Sequence, residues 1–213
     1  MSAGTKVGEG TYGEVRVRDT PDGRFVVKRM RIHDTDDGVP AHILREVDTL
    51  RRVRLTAAHA YVVDIHNFEH ILGKYVSVTM EYMDANLQQT IRQLHHIRKL
   101  TPLRRKSLAK QACIGIACLH AHGLLHRDIK PQNIVVDRRG RLKLCDFGLS
   151  RSRLTETPMT PLEVVTLWWR PPEVLLGSQH YDERIDVWAT GLILWQIFGD
   201  GLPPWMPACG TDI

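Results

Sequence analysis

The chain is poor in cysteine and has no long apolar run and no repeat. Each shortage removes a class of protein. Its four cysteines, Cys113, Cys118, Cys145 and Cys209, show no paired metal-type spacing and no disulfide framework. A disulfide-stapled domain and a cysteine-based zinc site are therefore excluded, and reduced thiols in the cytoplasm or nucleus are expected. The apolar stretch Leu192 to Phe198 is far too short to cross a bilayer and reads as a buried helix. Met1 to Thr5 carry no apolar signal region. No membrane association is expected. Repeats and low-complexity tracts are absent, which removes solenoids and disordered linkers.

What is present is ordinary globular material. The 213 residues are 43% hydrophobic and 25% charged, enough for a sizeable core and one or two domains. The net charge of +5 hints at anionic partners. The excess is scattered, however, and runs such as Arg51-Arg52-Val53-Arg54 and Arg138-Arg139-Gly140-Arg141 read as solvated faces or turns. A nucleic-acid partner is not expected. Cys145 reads as a small buried strand residue, although it directly precedes Asp146.

Periodicity divides the chain in two. Lys6 to Val17 and Phe25 to Arg31 alternate as strands, with Asp22-Gly23 as the turn. Ala41 to Val53 has helical spacing, with Ile43, Val47 and Leu50 on one face. Val62 to Phe68 and Tyr75 to Glu81 read as two more strands. This β-rich unit with one helix spans residues 1–83. Residues 84–213 are mainly helical. Leu87 to Leu100 is one helix, and Pro102 to His122 is another. The second should bury Leu108, Cys113, Ile116 and Leu119 and stop at Gly123. Ile134 to Val136 and Leu142 to Leu144 are short strands around a turn at Arg138 to Gly140, and Asp186 to Phe198 is a third helix. The predicted fold class is α+β in two lobes with a cleft between them, a common place for a nucleotide.

The chemistry lies in short motifs in a fixed order. His126-Arg127-Asp128-Ile129-Lys130-Pro131-Gln132-Asn133 is followed by Asp146-Phe147-Gly148. One general-base candidate, one lysine and two hard-oxygen metal ligands suit phosphoryl transfer from a metal-bound nucleotide to a hydroxyl. Upstream, Gly8-Glu9-Gly10-Thr11-Tyr12-Gly13-Glu14-Val15 reads G-x-G-x-x-G-x-V. Glycines there let the backbone approach phosphates that side chains would block. Lys28 ends the apolar run Phe25-Val26-Val27, Glu46 lies on the first helix, and Pro171-Pro172-Glu173 and Asp186-Val187-Trp188-Ala189-Thr190-Gly191 follow.

This ordered set resembles the protein kinases. It is most similar to their cyclin-dependent group through Glu9 to Gly13, Gly38 to Glu46, His126 to Asn133 and Glu163 to Arg170. The resemblance runs from Lys6 to about Asp212. It implies a bilobal kinase fold with a small β-rich lobe and an incomplete helical lobe, because kinases continue for roughly another 70 to 90 residues. The chain is therefore expected to be truncated.

The resemblance also implies roles. ATP and Mg²⁺ are the cofactors. Val7, Gly8, Glu9, Gly10, Thr11, Tyr12 and Gly13 cover the phosphates, and Val15, Val26 and Val135 line the nucleotide pocket. Met80 limits the back of the pocket, the backbone of Glu81 and Met83 binds adenine, and Asn86 stands where relatives often carry Asp for the ribose. Lys28 holds phosphates and pairs with Glu46. Asp128 is the base, Lys130 steadies the transferring group, and Thr166 bonds to both. Asn133 and Asp146 are the metal ligands, while His126 and Phe147 pack. Lys130 marks the Ser/Thr branch, and Val164, Val165 and Arg170 resemble a pocket for proline after the target residue.

For regulation, the resemblance implies a cyclin-like partner at Pro40 to Glu46, with His42 and Ile43 replacing small residues. Arg45, Arg127 and Arg151 match arginines that gather a loop phosphate. Pro161 stands where the activating threonine belongs, with Thr160 one residue earlier, and Thr11 and Tyr12 match inhibitory phosphosites. Glu173 is expected to be buried without its usual arginine. A Ser/Thr protein kinase is the leading reading. The alternative is an inactive or unstable kinase fragment that serves only as a binding module.

Overall fold

A computed structural model of the chain describes residues 5–10, 13–31, 39, 41–71, 75–152, 167–178 and 182–199. Five strands and one helix form the first half: β1 (Thr5–Gly10), β2 (Gly13–Thr20), β3 (Gly23–Arg31), α1 (Ala41–Arg54), β4 (Ile65–Ile71) and β5 (Tyr75–Glu81). The strands make one antiparallel sheet in the order β1-β2-β3-β5-β4. The stretch expected as one strand from Lys6 to Val17 is two, closed where Gly10 pairs with Gly13. The next loop is Pro21-Asp22, and Gly23 opens β3 with φ 133°, a conformation that glycine alone adopts readily. The strand expected from Val62 begins at Ile65. Val62 forms only a single bridge, to Leu144.

In α1 the residues Ile43, Val47 and Leu50 are buried, as their spacing predicts. Glu46 shares that face and is 1% exposed. A carboxylate so deep requires a partner, and this one positions the site.

The second half holds β6 (Ala85–Asn86), α2 (Leu87–His96), α3 (Pro102–Ala121), β7 (Leu124–Leu125), β8 (Ile134–Val136), β9 (Leu142–Leu144), β10 (Arg151–Ser152), α4 (Pro172–Leu175) and α5 (Arg184–Phe198). The helix expected to reach Leu100 stops at His96. Arg98 has φ 53°, and the N–H groups of Lys99 and Leu100 both donate to the Leu94 carbonyl, which closes the helix end. Thr101 then caps α3 by accepting from the Arg104 N–H, with Pro102 in the first turn. Gly123, at φ 69°, follows the end of that helix as expected.

Leu108, Ile116 and Leu119 of α3 are buried, but Cys113 is exposed. Ala112 and Gly115 take the inner positions, and one residue's turn of about 100° carries Cys113 outward. A Cβ on Gly115 would stand 3.1 Å from Tyr61 Cβ, so a larger side chain there would have to push Tyr61 aside by a few tenths of an ångström.

Helix α5 packs on α3 and buries Ile185, Ala189, Ile193 and Ile197. It is largely apolar, and Val187, Trp188, Trp195 and Phe198 on its remaining face are exposed. Ile193→Ala should cost about 2–5 kcal/mol of unfolding free energy by opening a cavity under α3. Urea denaturation measures it, and a loss below about 1 kcal/mol would mean that α5 is not part of the core.

Candidate active site

Strand register assembles the upper wall of the site. Val15 is opposite Lys28, which is opposite Val78, and Val17 is opposite Val26, which is opposite Met80. Opposed residues share a face, and residues two apart on one strand do too. Val15, Val26, Lys28, Val78 and Met80 therefore stand together. Val7, Gly8, Glu9 and Gly10 lie on β1 and Gly13 opens β2, so the predicted glycine loop is the tip of the β1–β2 hairpin. Thr11 and Tyr12 at the tip lie outside the described residues.

Lys28 is the joint between the lobes. Its Nζ donates to both Glu46 carboxylate oxygens, at 2.9 and 2.8 Å, and to Asp146 Oδ1 at 2.9 Å. Two further bonds hold α1 against the segment that carries Asp146. Arg45 Nε donates to the Gly148 carbonyl at 3.3 Å, and the Thr49 and Ser150 hydroxyls lie 2.7 Å apart. Ser150 Oγ also donates to the Phe147 carbonyl at 2.6 Å.

The lower wall is a connected run of polar groups. Lys130 Nζ is 2.8 Å from Asp128 Oδ2, and Asn133 Nδ2 donates to that same oxygen at 2.7 Å and to the Asp128 carbonyl at 2.9 Å. The Asn133 carbonyl accepts from the Cys145 N–H at 2.9 Å, which places Asn133 beside Asp146 at the end of the β8–β9 ladder. Lys28, Asp146, Asn133, Asp128 and Lys130 thus form one continuous constellation. Asp146 is held at φ 64°, a costly conformation for a non-glycine residue. Thr166 lies outside the described residues.

His126 packs, as the resemblance implies. Its ring lies 4.8 Å from that of Phe147, its Nδ1 accepts from the Asp128 N–H at 3.3 Å, and its Nε2 donates to the Cys145 carbonyl at 3.1 Å. Asp186 supports the loop from below, a role that sequence reasoning did not give it. Its two oxygens accept from the backbone N–H groups of His126 and Arg127, each at 2.8 Å, and Oδ2 lies 3.0 Å from His120 Nε2. Arg127 takes the left-handed conformation, φ 69°. The available signal was an acid in the first turn of a largely apolar helix.

At the hinge, Glu81 accepts from the Asp64 N–H at 2.7 Å and from Lys143 on β9, which ties the end of β5 to the strand that leads to Asp146. Asn86, expected beside a ribose, instead caps α2. Its Oδ1 accepts from the Gln89 N–H at 2.9 Å, while Gln89 Oε1 accepts from the Asn86 N–H at 3.1 Å. Val135 pairs with Asn86 across β8 and β6, and it packs on the core together with Val26 and Met83. Glu173 is exposed in the first turn of α4, where a carboxylate is favoured, so the expected buried orphan does not arise. Arg45 reaches the Asp146 segment at the Gly148 carbonyl, and Arg151 pairs in register with Leu125, two residues before Arg127. Pro40, Thr155, Thr157, Thr160, Pro161 and Glu163 to Val165 lie outside the described residues.

The site carries more negative than positive charge around Lys28. Burial opposes the Lys28 ammonium, but Glu46 and Asp146 overcome it and hold its pKa above the ordinary value. Burial raises the Glu46 carboxyl against the pull of Lys28, and repulsion by Asp146 adds to the rise. Burial also opposes the Asp146 carboxylate, yet attraction and hydrogen bonding by Lys28, with His126 and Lys130 behind, leave it below the ordinary range. Cys145 is pushed up by burial and by Asp146, an inert thiol.

Among the described residues no three or more His, Cys, Asp or Glu side chains gather to hold a metal. Asn133 and Asp146 carry oxygens of the kind Mg²⁺ would take, with phosphates and water to complete its shell. The surplus carboxylate beside Lys28 fits such a cation.

Lys28→Met tests this balance. Glu46 then keeps its burial and its acidic neighbour but loses the ammonium, so its folded pKa stands further above the unfolded value of about 4.3. The folded state binds more protons than the unfolded state, and stability rises as pH falls. In the wild type, the Asp146 contribution is present above its unfolded value of about 3.9 and is lost only as pH falls through its lower folded value. The stability deficit of Lys28→Met should therefore shrink between about pH 7 and about pH 5. A deficit independent of pH in urea titrations would show that Lys28 does not hold these carboxylates.

The comparisons with known proteins agree with this geometry. The protein kinase domain family matches residues 1–209. The cell division control protein 2 homolog D of Antirrhinum majus is 40% identical over 193 residues, covering 88% of this chain and 62% of that protein. Cyclin-dependent kinase B2-1 of Arabidopsis thaliana is 40% identical over 196 residues, with the same coverage. Cyclin-dependent kinase 17 of Caenorhabditis elegans is 39% identical over 194 residues, 90% of this chain and 28% of that protein. The chain spans 62% of the length of the first two of these relatives. The α+β fold, the ordered motifs and these matches place the chain in the protein kinase domain family, among relatives of the cyclin-dependent kinases.

Proposed function

We propose that this chain is the nucleotide-binding and catalytic part of a Ser/Thr protein kinase that transfers the γ-phosphoryl group of ATP to protein hydroxyls. The observation that carries this reading is the continuous constellation of Lys28, Glu46, Asp146, Asn133, Asp128 and Lys130. ATP bound with Mg²⁺ would supply the phosphoryl group and the charge neutralisation of its transfer. Lys28 would bind phosphate oxygens while Glu46 keeps it aimed, and Asn133 and Asp146 would hold the metal. Asp128 has its Oδ2 taken by Lys130 and Asn133, so its other oxygen would orient the substrate hydroxyl and receive its proton. Val15, Val26, Met80 and Val135 would exclude water from the adenine, with the backbone of Glu81 and Met83 reading its edge. Asn86, committed to its cap, would contribute little to ribose binding.

Finer features extend the same reading. Val164, Val165 and Arg170 would favour proline after the target residue, and Lys130 would select Ser/Thr hydroxyls. A cyclin-like activator would bind the Pro40 to Glu46 helix, and Leu44, an apolar side chain 53% exposed on α1, supports an outside partner there. A threonine of the loop, Thr160 first, would accept an activating phosphate. Three of the cysteines are free thiols in the fold, which supports a cytoplasmic or nuclear protein.

Phosphate transfer from labelled ATP to Ser-Pro and Ser-Ala peptides, with Mg²⁺, tests the proposal. Asp128→Asn should lower kcat by about a hundred- to ten-thousand-fold with little change in Mg-ATP binding. Asp146→Asn should abolish Mg²⁺-dependent binding as well. Mg-ATP at a hundred times its Kd should stabilise the wild type by about 2.7 kcal/mol. No thermal shift and no transfer would identify an inactive fragment, and equal rates on the two peptides would remove the proline preference.

A further inference from the structure

Many basic side chains of the described residues have carboxylate partners. Lys28, Lys130, Lys143, Arg24, Arg138 and Arg141 each lie within ion-pair distance of an Asp or Glu. The corner where α2 passes into α3 differs. The sequence holds no Asp or Glu between Ala85 and Arg127. Arg92, Arg98, Lys99, Arg104, Lys106 and Lys110 are all exposed there. None of them is ion-paired among the described residues, whose ion pairs lie elsewhere.

Part of this charge suits the end of α2, where cations are favoured, and part works against the local structure. Arg98 occupies a left-handed position, φ 53°, that helix ends usually give to glycine or asparagine. α3 opens without an acidic residue and with Arg104 close behind its start, the sign that a helix N-terminus disfavours. Arg105 has an internal duty, donating to the Ile197 and Gly199 carbonyls at the end of α5, and Arg104 donates to the Lys99 carbonyl at 3.2 Å.

The surface is also shaped. One concavity of about 410 Å³ is lined by His95, His96, Arg98, Leu100 and Arg105, and another of about 530 Å³ by Arg92, Gln93, His96 and Ile97. They share His96 and so lie side by side as a shallow surface groove with basic and apolar lining. Ile97 places a half-exposed apolar side chain within it.

We propose that this groove docks an acidic segment of a partner protein, with Asp or Glu side chains on Arg92 and Arg98 and an interspersed apolar side chain on Ile97. The uncompensated charge supplies steering and orientation, and the apolar contact supplies what charge in water does not. The composition argues against nucleic acid. No Phe, Trp or Tyr occurs from Met83 to Asp146, so the groove lacks the aromatic platforms on which bases stack.

Fluorescence anisotropy with the full chain tests this, using a fluorescein-labelled peptide of alternating acidic residues and leucine. Saturable binding is expected, weakened at least about ten-fold by Arg92→Glu with Arg98→Glu. Ile97→Ser should weaken it at least about three-fold, from lost apolar burial. The milder pair Arg92→Gln with Arg98→Asn should also weaken it, and it serves if charge reversal prevents folding, as judged by circular dichroism. Absence of saturable binding, or affinity unchanged in folded variants, overturns the site. Tighter binding of oligothymidylate or of phosphatidylserine vesicles than of the peptide overturns the partner.

Discussion

A single ammonium, 8% exposed and shared by two carboxylates, is the constraint on which the rest depends. Lys28 arrives on the sheet, Glu46 on α1 and Asp146 on the segment after β9. β3 and α1 follow one another along the chain, but Asp146 lies 118 residues beyond Lys28. A charge this deep is tolerated only with partners in good geometry. The sheet must therefore present Lys28 on the face it shares with Val15 and Met80, and α1 must lie with Glu46 inward. Thr49, Ser150 and Arg45 then hold the docked arrangement with further hydrogen bonds. The apolar stripe of α1 and the charged joint point the same way, so packing and electrostatics select one position for the helix.

The second anchor lies below. Asp186 is 1% exposed and draws two backbone N–H groups and His120 to its two oxygens. Charge-assisted bonds of this kind are stronger than neutral ones. They hold Arg127 in a conformation that an isolated peptide would seldom adopt, one residue before Asp128. The loop is thus fixed from α5, while Asn133 and Lys130 fix its business end from within. This division explains how a stretch with little regular structure can hold three polar side chains in register.

Much of this was legible in the sequence, for physical reasons. The alternation in β3 and β5 and the three-four spacing of Ile43, Val47 and Leu50 report a half-buried strand and a half-buried helix, and both occur. The clustering of Asp128, Lys130 and Asn133 was readable because their mutual contacts are local. Contacts across long separations were not. Nothing near Lys143 announces Glu81, and nothing near Thr49 announces Ser150. The end of α2 was misread because Ile97 and Leu100 prolong an apolar rhythm through a turn that Arg98 makes without glycine. Cys113 was misread for a related reason: from Ala112 to Leu119 the helix α3 is apolar on every side, so periodicity there does not say which side faces in. Asn86 was read by its neighbourhood, whereas the capping box with Gln89 decides what its side chain does.

The identity of Asn133 follows from the same charge balance as Lys28. Glu46 and Asp146 already outnumber the one ammonium between them, and burial keeps the surplus unscreened. A carboxylate at position 133 would add a further negative charge beside both Asp146 and Asp128, raising all of their pKa values together. An amide offers an oxygen of the same hardness without charge, and its nitrogen donates to Asp128 at the same time. One neutral side chain thus orients the candidate base and leaves an acceptor for a cation. The same argument assigns Lys130 its place on Asp128 Oδ2. It offsets the one carboxylate of the loop that Lys28 does not reach, so each half of the site carries its own ammonium and only the Glu46–Asp146 half remains in deficit.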